Sequence, residues 1–134
     1  EKALETLGDL TGAARKIAVL GDMLELGRFS ADEHRRIGNL TKGSADILVA
    51  VGLRARGFTE GAREAGMDES AVFHFETAIE AGKFLQNCIA EGDYILIKGS
   101  QSIRMERAVE EIMAEPQRKR DLLVRQDAFW LARA

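Results

Sequence analysis

Two short stretches hold most of the residues whose types and spacing suit chemistry. In Lys98-Gly99-Ser100 a cation ends an apolar run, a glycine allows close backbone approach, and a hydroxyl follows where a helix is expected to begin. The free N–H groups and the dipole at such a helix start attract phosphate or carboxylate. Arg104 and Glu106 fall in the first turn of that expected helix, where Arg104 can grip a carboxylate and Glu106 can hold an ammonium group. The same residues also fit plain scaffolding: a glycine turn with a serine cap is common, and a glutamate near a helix N-terminus is favoured electrostatically.

The second stretch is Gly21-Asp22-Met23-Leu24-Glu25-Leu26-Gly27, which follows another apolar run. Asp22 and Glu25, in a loop bounded by Gly21 and Gly27, can bind ribose hydroxyls, a ligand ammonium, or a metal through water. Capping local N–H groups is the competing role. His34 is close enough in sequence to fold back on this loop, although a lone histidine is more often structural. Arg54, just past Gly52, either faces the same region or is a solvated surface residue. His74 lies within an expected strand and reads as packing.

Positioning these residues requires a repeated strand–loop–helix plan. Residues 1–7 are good helix formers with Ala3, Leu4 and Leu7 on one side. A glycine-containing connector over 8–15 leads to a buried strand over 16–20, ending at Gly21. Ser30-Ala31-Asp32-Glu33 fits a capping box for a helix to about residue 42, with His34, Ile37 and Leu40 to Thr41 along its stripe. The unbroken apolar run of 46–52 is the kind of strand found where both faces of a parallel sheet are covered. A helix over 58–65, a strand over 71–75 and a helix opened by the Thr77–Glu80 box follow, the last with Ala78, Ala81, Leu85 and Cys88 as its stripe. A turn at 91–93 precedes a strand over 94–98, and a helix through Met105, Ala108 or Val109, and Ile112 ends near Pro116. Four strands alternating with helices specify an α/β domain: a Rossmann-like, mainly parallel sheet with helices on both faces. In such a sheet every strand delivers its C-terminal end to the same edge, so both loops should meet along one rim.

At 134 residues the chain is expected to form one domain, over 1–115, burying roughly two-thirds of its unfolded surface. Residues 116–134 read as an extension, partly helical through Leu122, Leu123, Phe129 and Trp130, or disordered. That extension holds five basic and two acidic side chains, a local +3 that leaves −6 for the rest. The overall charge of −3 argues against general nucleic-acid binding. A hydrophobic fraction of 46% contains no run of the roughly 20 apolar residues that span a bilayer. The single cysteine, Cys88, cannot form an internal disulfide, and no export signal is read at the N-terminus, so the expectation is a cytoplasmic protein. The chain lacks a G-x-x-x-x-G-K-[ST] phosphate loop, a G-x-G-x-x-G fingerprint, a cysteine–histidine metal spacing and a G-x-S-x-G nucleophile elbow. Alone it carries no catalytic engine and no metal site.

Taken together, the two loops and their surroundings resemble a known family. Ile17 to Gly27, then Glu33-His34 and Ile37-Gly38, then Ala45-Asp46, then Lys98-Gly99-Ser100 and Met105-Glu106 are similar, in order and spacing, to the C-terminal domain of the Mur ligases. Among these, the likeness is to the MurF type, which adds D-Ala-D-Ala to UDP-N-acetylmuramoyl-tripeptide. It extends over about residues 3–114.

The resemblance implies a bacterial, cytoplasmic, ATP-dependent enzyme of peptidoglycan synthesis with three domains. The UDP-sugar would lie on the N-terminal domain, ATP and Mg mainly on the central one, and the present domain would close over them. This chain would then be a fragment, inactive alone. Gly21, Asp22, Glu25 and Gly27 match the family's G-D-M-L-E-L-G loop, His34 its following histidine, and Lys98, Gly99, Ser100 and Glu106 its second motif. Where the family commonly has arginine after the serine, this chain has Gln101, which makes Arg104 the substitute candidate. Two other readings stay open: a noncatalytic α/β module binding a nucleotide or anion, and the matching domain of another Mur-type or folylpolyglutamate-type ligase.

Overall fold

The computed structural model describes residues 2–12, 14–22, 30–99, 105, 107, 121–126 and 129–133. Its elements are α1 (Lys2–Asp9), β1 (Lys16–Gly21), α2 (Ser30–Ser44), β2 (Ile47–Val51), α3 (Arg56–Glu64), β3 (Val72–Phe75), α4 (Ala78–Cys88), β4 (Tyr94–Lys98), β5 (Asp121–Gln126) and β6 (Phe129–Arg133). They build one six-stranded sheet in the order β3-β2-β1-β4-β6-β5. The first four strands run parallel, while β6 is antiparallel to β4 and β5 antiparallel to β6. The expected α/β class with a mainly parallel sheet is what the chain forms.

Alternation along the strands explains the two layers of helix. Ala18, Leu20, Leu48, Ala50 and Leu96 point to one face, where Leu4 and Leu7 of α1, Ile37 of α2, and Phe58 and Ala62 of α3 cover them. Ile17, Val19, Val49, Val51, Ile95 and Ile97 point to the other, against Ala78, Ala81 and Leu85 of α4, with Ile89 and Met105. Because both faces are covered, β1, β2 and β4 read as continuous apolar runs. Each fully buried Leu, Ile or Val contributes about 1.5–3 kcal/mol. Leu40, expected on the buried stripe of α2, is 39% exposed; His34, Ile37 and Thr41 carry that stripe instead.

Helix ends follow local chemistry only in part. Thr77 caps α4 by accepting from the Glu80 amide at 3.2 Å, and its hydroxyl donates to Glu80 Oε1 at 3.0 Å. In α2, Glu33 accepts from Arg36 Nε and Nη2 at 3.1 and 2.8 Å, and this bond holds its carboxyl below the usual range. Where α2 crosses α3, a Cβ on Gly38 would run into the Phe58 carbonyl oxygen, and one on Gly61 into that of Arg35. The two backbones touch through these glycines. Arg35 bridges the same helices through Glu60 at 2.9 Å and Glu64 at 3.2 Å, but these pairs are solvated and screened.

At the N-terminal edge of the sheet, Arg15 is locked to Asp93. Arg15 Nε donates to Oδ1 at 3.1 Å and Nη2 to Oδ2 at 2.6 Å, while Nη2 also donates to the Cys88 carbonyl at 2.9 Å. The Ala90 amide gives Oδ2 a further bond at 2.9 Å. Asp93 is 1% exposed, so its charge depends on these donors. Its hydrogen bond is the main cause that raises the Arg15 guanidinium above its ordinary value. The sequence marked Asp93 only as a turn residue.

The extension needs a correction. Instead of a last helix through Leu122, Leu123, Phe129 and Trp130, or a disordered tail, residues 121–126 and 129–133 form two strands. β6 pairs along the side of β4 that β1 leaves open, with Ile97 opposite Trp130 and Leu96 opposite Leu131. An open strand edge offers unpaired N–H and C=O groups, and pairing there outweighs the weak local preference of this segment. The boundary at 115/116 and most of the helix expected before it lie outside the described residues; Met105 is buried and Arg107 is helical. Among the described residues no helix is long and apolar enough to cross a membrane.

Two glycines of α2 provide a paired test. Nothing lies within 4 Å of a Cβ on Gly43, so Gly43→Ala should be neutral or stabilise by about 0.5–1 kcal/mol. Gly38→Ala should cost about 1–3 kcal/mol in urea unfolding, because backbone rather than a flexible side chain stands in the way. For the edge lock, Asp93→Ala should cost about 2–3 kcal/mol, at the low end for a buried pair because Arg15 is partly solvated. An unchanged urea midpoint would show that the lock contributes nothing.

Candidate functional site

The path of the chain across the sheet reverses at β1. β2 and β3 lie on one side of it and β4 on the other. The crevice beyond the C-terminal ends of β1 and β4 is therefore the topological switch point, where open α/β sheets bind ligands. Register puts Leu20 opposite Lys98, so Gly21 and Gly99 leave the sheet side by side. A Cβ on Gly99 would stand 3.1 Å from Gly21 Cα and 2.6 Å from Met105 Cγ. Two adjacent positions without side chains let the Gly21 and Gly99 backbones approach closely, beside a buried Met105.

Asp22 ties this crevice to the neighbouring strand ends. Its amide donates to the Val51 carbonyl at 3.0 Å, and its Oδ2 accepts from the Arg54 amide at 3.1 Å. The residue is 4% exposed, and Oδ1 is buried without a hydrogen-bond partner among the described residues. Gly52 lies against the carboxylate with φ of 107°, and a Cβ there would be 2.6 Å from Asp22 Cγ. The Gly52 amide donates to the Phe75 carbonyl at 2.8 Å, and its own carbonyl meets His74 Nε2 at 2.7 Å. The ends of β1, β2 and β3 are thus joined by a single hydrogen-bonded web.

The sequence candidates divide accordingly. Gly21, Asp22, Arg54, Lys98 and Gly99 all lie at the C-terminal edge, as the rim argument requires. Lys98 is half-buried at the end of β4, and Arg54 is exposed just beyond β2. His34 is fully buried in α2, its ring 4.5 Å from that of Phe58, so it is packed within the core layer. Glu25, Gly27, Ser100, Arg104 and Glu106 lie outside the described residues. Among the described residues no group of three His, Cys, Asp or Glu side chains is arranged to hold a metal ion.

Sequence reasoning missed the role of Gly52 and its neighbour Leu53. Leu53 is 71% exposed on the turn that Asp22 holds. The available signal was a glycine placed immediately after a buried strand, the usual mark of a positive-φ turn or of close approach.

The family described as "Mur ligase, glutamate ligase domain" matches residues 1–101. The chain belongs to this family. Similar curated proteins include the UDP-N-acetylmuramoyl-tripeptide--D-alanyl-D-alanine ligase of Bacillus subtilis (strain 168), 27% identical over 115 residues, covering 85% of this chain and 25% of that protein. The ligase of the same name from Treponema pallidum (strain Nichols) is 34% identical over 99 residues, covering 71% and 21%. Among solved structures, MurF from Acinetobacter baumannii superposes with a TM-score of 0.70 at 32% identity, over 85% of this chain and 25% of that one. MurF from Thermotoga maritima in complex with ADP shares the fold, with a TM-score of 0.63 at 24% identity over 82% and 24%. This Mur ligase domain thus spans about a quarter of the length of the MurF proteins it matches.

If the web at the crevice is structural, Gly52→Ala should cost about 1–3 kcal/mol, since the variant must hold a positive φ and displace a buried carboxylate. Urea unfolding measures this. A stability equal to that of the unsubstituted chain would mean that the turn is free to rearrange.

Proposed function

We propose that the chain is the C-terminal, domain-closing part of a MurF-type amide ligase acting in the bacterial cytoplasm. The observation that carries the reading is the convergence of the Gly21-Asp22 and Lys98-Gly99 segments at the switch point, in a domain whose family is Mur ligase.

In the reaction proposed, the γ-phosphoryl group of ATP passes to the terminal carboxylate of UDP-N-acetylmuramoyl-tripeptide, giving an acyl phosphate and ADP. The D-Ala-D-Ala amine then attacks the acyl carbon, loses a proton, and expels inorganic phosphate as the amide forms. Magnesium, held mainly by the central domain, would neutralise charge on the transferring phosphoryl group. The role of this chain is to close over the bound substrates, present Lys98 and the Gly99 and Ser100 backbone to anionic oxygen, and position the acceptor. Closure of this kind excludes water, which would otherwise hydrolyse the acyl phosphate. Ser100, Arg104 and Glu106 are assigned to the same rim from their place after β4, and Glu25 and Gly27 from theirs after β1. By itself the domain is expected to be inactive.

Translating the reading frame upstream of Glu1 tests the premise. A G-x-x-x-x-G-K-[ST] segment some way upstream is expected; a start codon directly before Glu1 would favour a free-standing anion-binding module. The complete enzyme should release ADP in the presence of the UDP-tripeptide and D-Ala-D-Ala, and not when a single amino acid replaces the dipeptide. Ser100→Ala and Glu106→Ala should each raise KM for the dipeptide or lower kcat by about tenfold without changing Tm. Wild-type kinetics in both variants would remove them from the site.

A further inference from the structure

We infer that Asp22 is a positioning residue whose carboxylate works inside the protein, holding the 52–55 turn so that Arg54 is presented at the rim to an anionic oxygen group of a substrate. Several contacts define the turn. Asp22 Oδ2 accepts from the Arg54 amide at 3.1 Å, the Ala55 amide reaches the Gly52 carbonyl at 3.3 Å, and Gly52 is anchored to Phe75 and His74. At 4% exposure and with Gly52 packed against it, the Asp22 carboxylate is covered rather than offered to solvent.

What the turn does offer is Leu53 and Arg54, both exposed. No hydrogen bond or ion pair occupies the Arg54 side chain among the described residues; the bond to Asp22 uses the backbone amide. On a turn already fixed at its backbone, a guanidinium that grips a carboxylate or phosphate has only its own rotamers left to order. The cost of burying a carboxylate with one oxygen unpartnered makes sense if the turn must be held in one conformation.

The identity of the anion rests on the ligase reading; the lock does not. The acceptor's carboxylate and the nucleotide's phosphates are two sources of the same chemistry, and kinetics separates them. Asp22→Ala, Asp22→Asn and Arg54→Ala would be made in the complete enzyme, with hydrogen exchange over 52–56, Tm, and KM for both dipeptide and ATP measured.

In Asp22→Ala, exchange at the Arg54 amide should rise by about tenfold or more, and Asp22→Asn should recover most of this because its side-chain oxygen still accepts. Asp22→Ala and Arg54→Ala should raise the same KM by about tenfold, and together no more than the worse single variant. A raised dipeptide KM assigns the carboxylate, a raised ATP KM the phosphate.

Unchanged exchange in Asp22→Ala would overturn the lock. If Asp22→Asn keeps wild-type exchange yet loses as much activity as Asp22→Ala, the carboxylate touches substrate directly and the positioning role is wrong. Unmoved KM values in Arg54→Ala would remove Arg54 as the group presented. Should the complete protein perform no ligation, the substrate assignment fails while the exchange result still decides the lock.

Discussion

The fold depends on the double confinement of β1. This strand is paired on one edge with β2 and on the other with β4, and its side chains from Ile17 to Leu20 are at most 1% exposed on either face. A strand so enclosed must satisfy every backbone group through its neighbours and every side chain through helices. Placement of β2 on one side and β4 on the other follows, as does the crevice between the ends of β1 and β4. The candidate site is thus a product of topology before it is a product of any particular side chain.

The two edges of the sheet are secured by different means. At the N-terminal edge, Arg15 and Asp93 form a charged lock reinforced by the Cys88 carbonyl and the Ala90 amide, so the buried carboxylate is fully engaged. At the C-terminal edge, one Asp22 oxygen has no partner among the described residues, and Gly52 takes a positive φ beside it that a side chain would disfavour. A satisfied network suits a permanent joint. An under-satisfied carboxylate beside a turn that glycine alone accommodates suits a site where conformation is held for a purpose beyond stability.

Much of this was legible residue by residue. The apolar runs 16–20, 46–52 and 94–98 announced buried parallel strands because covered sheets leave no polar face to alternate with. Thr77 announced α4 because its cap is a local interaction. The rim position of Gly21, Asp22, Lys98 and Gly99 followed from the rule that parallel strands end on one edge. Other features were not local. Asp93 finds Arg15 across 78 residues, and Asp22 finds the Arg54 amide across 32, so neither pairing leaves a trace in spacing or periodicity. The tail is non-local for the same reason: Leu122 and Leu123 favour helix while Phe129 and Trp130 favour strand, and the edge of β4 decided between them.

By itself, the sequence determined the α/β class, the number of parallel strands, the core-facing residues of most helices, and membership of the Mur ligase family through the glycine-bounded loop and the Lys98-Gly99-Ser100 turn. These are properties carried by local propensity, hydrophobic period and motif, all of which act over a few residues. Only the tertiary structure decided which polar groups are spent and which are offered. Asp22 and Arg54 look equally available along the chain, yet folding encloses one and exposes the other. Burial and hydrogen bonding are set by elements distant in sequence, and that distance is why the distinction could not be read in advance.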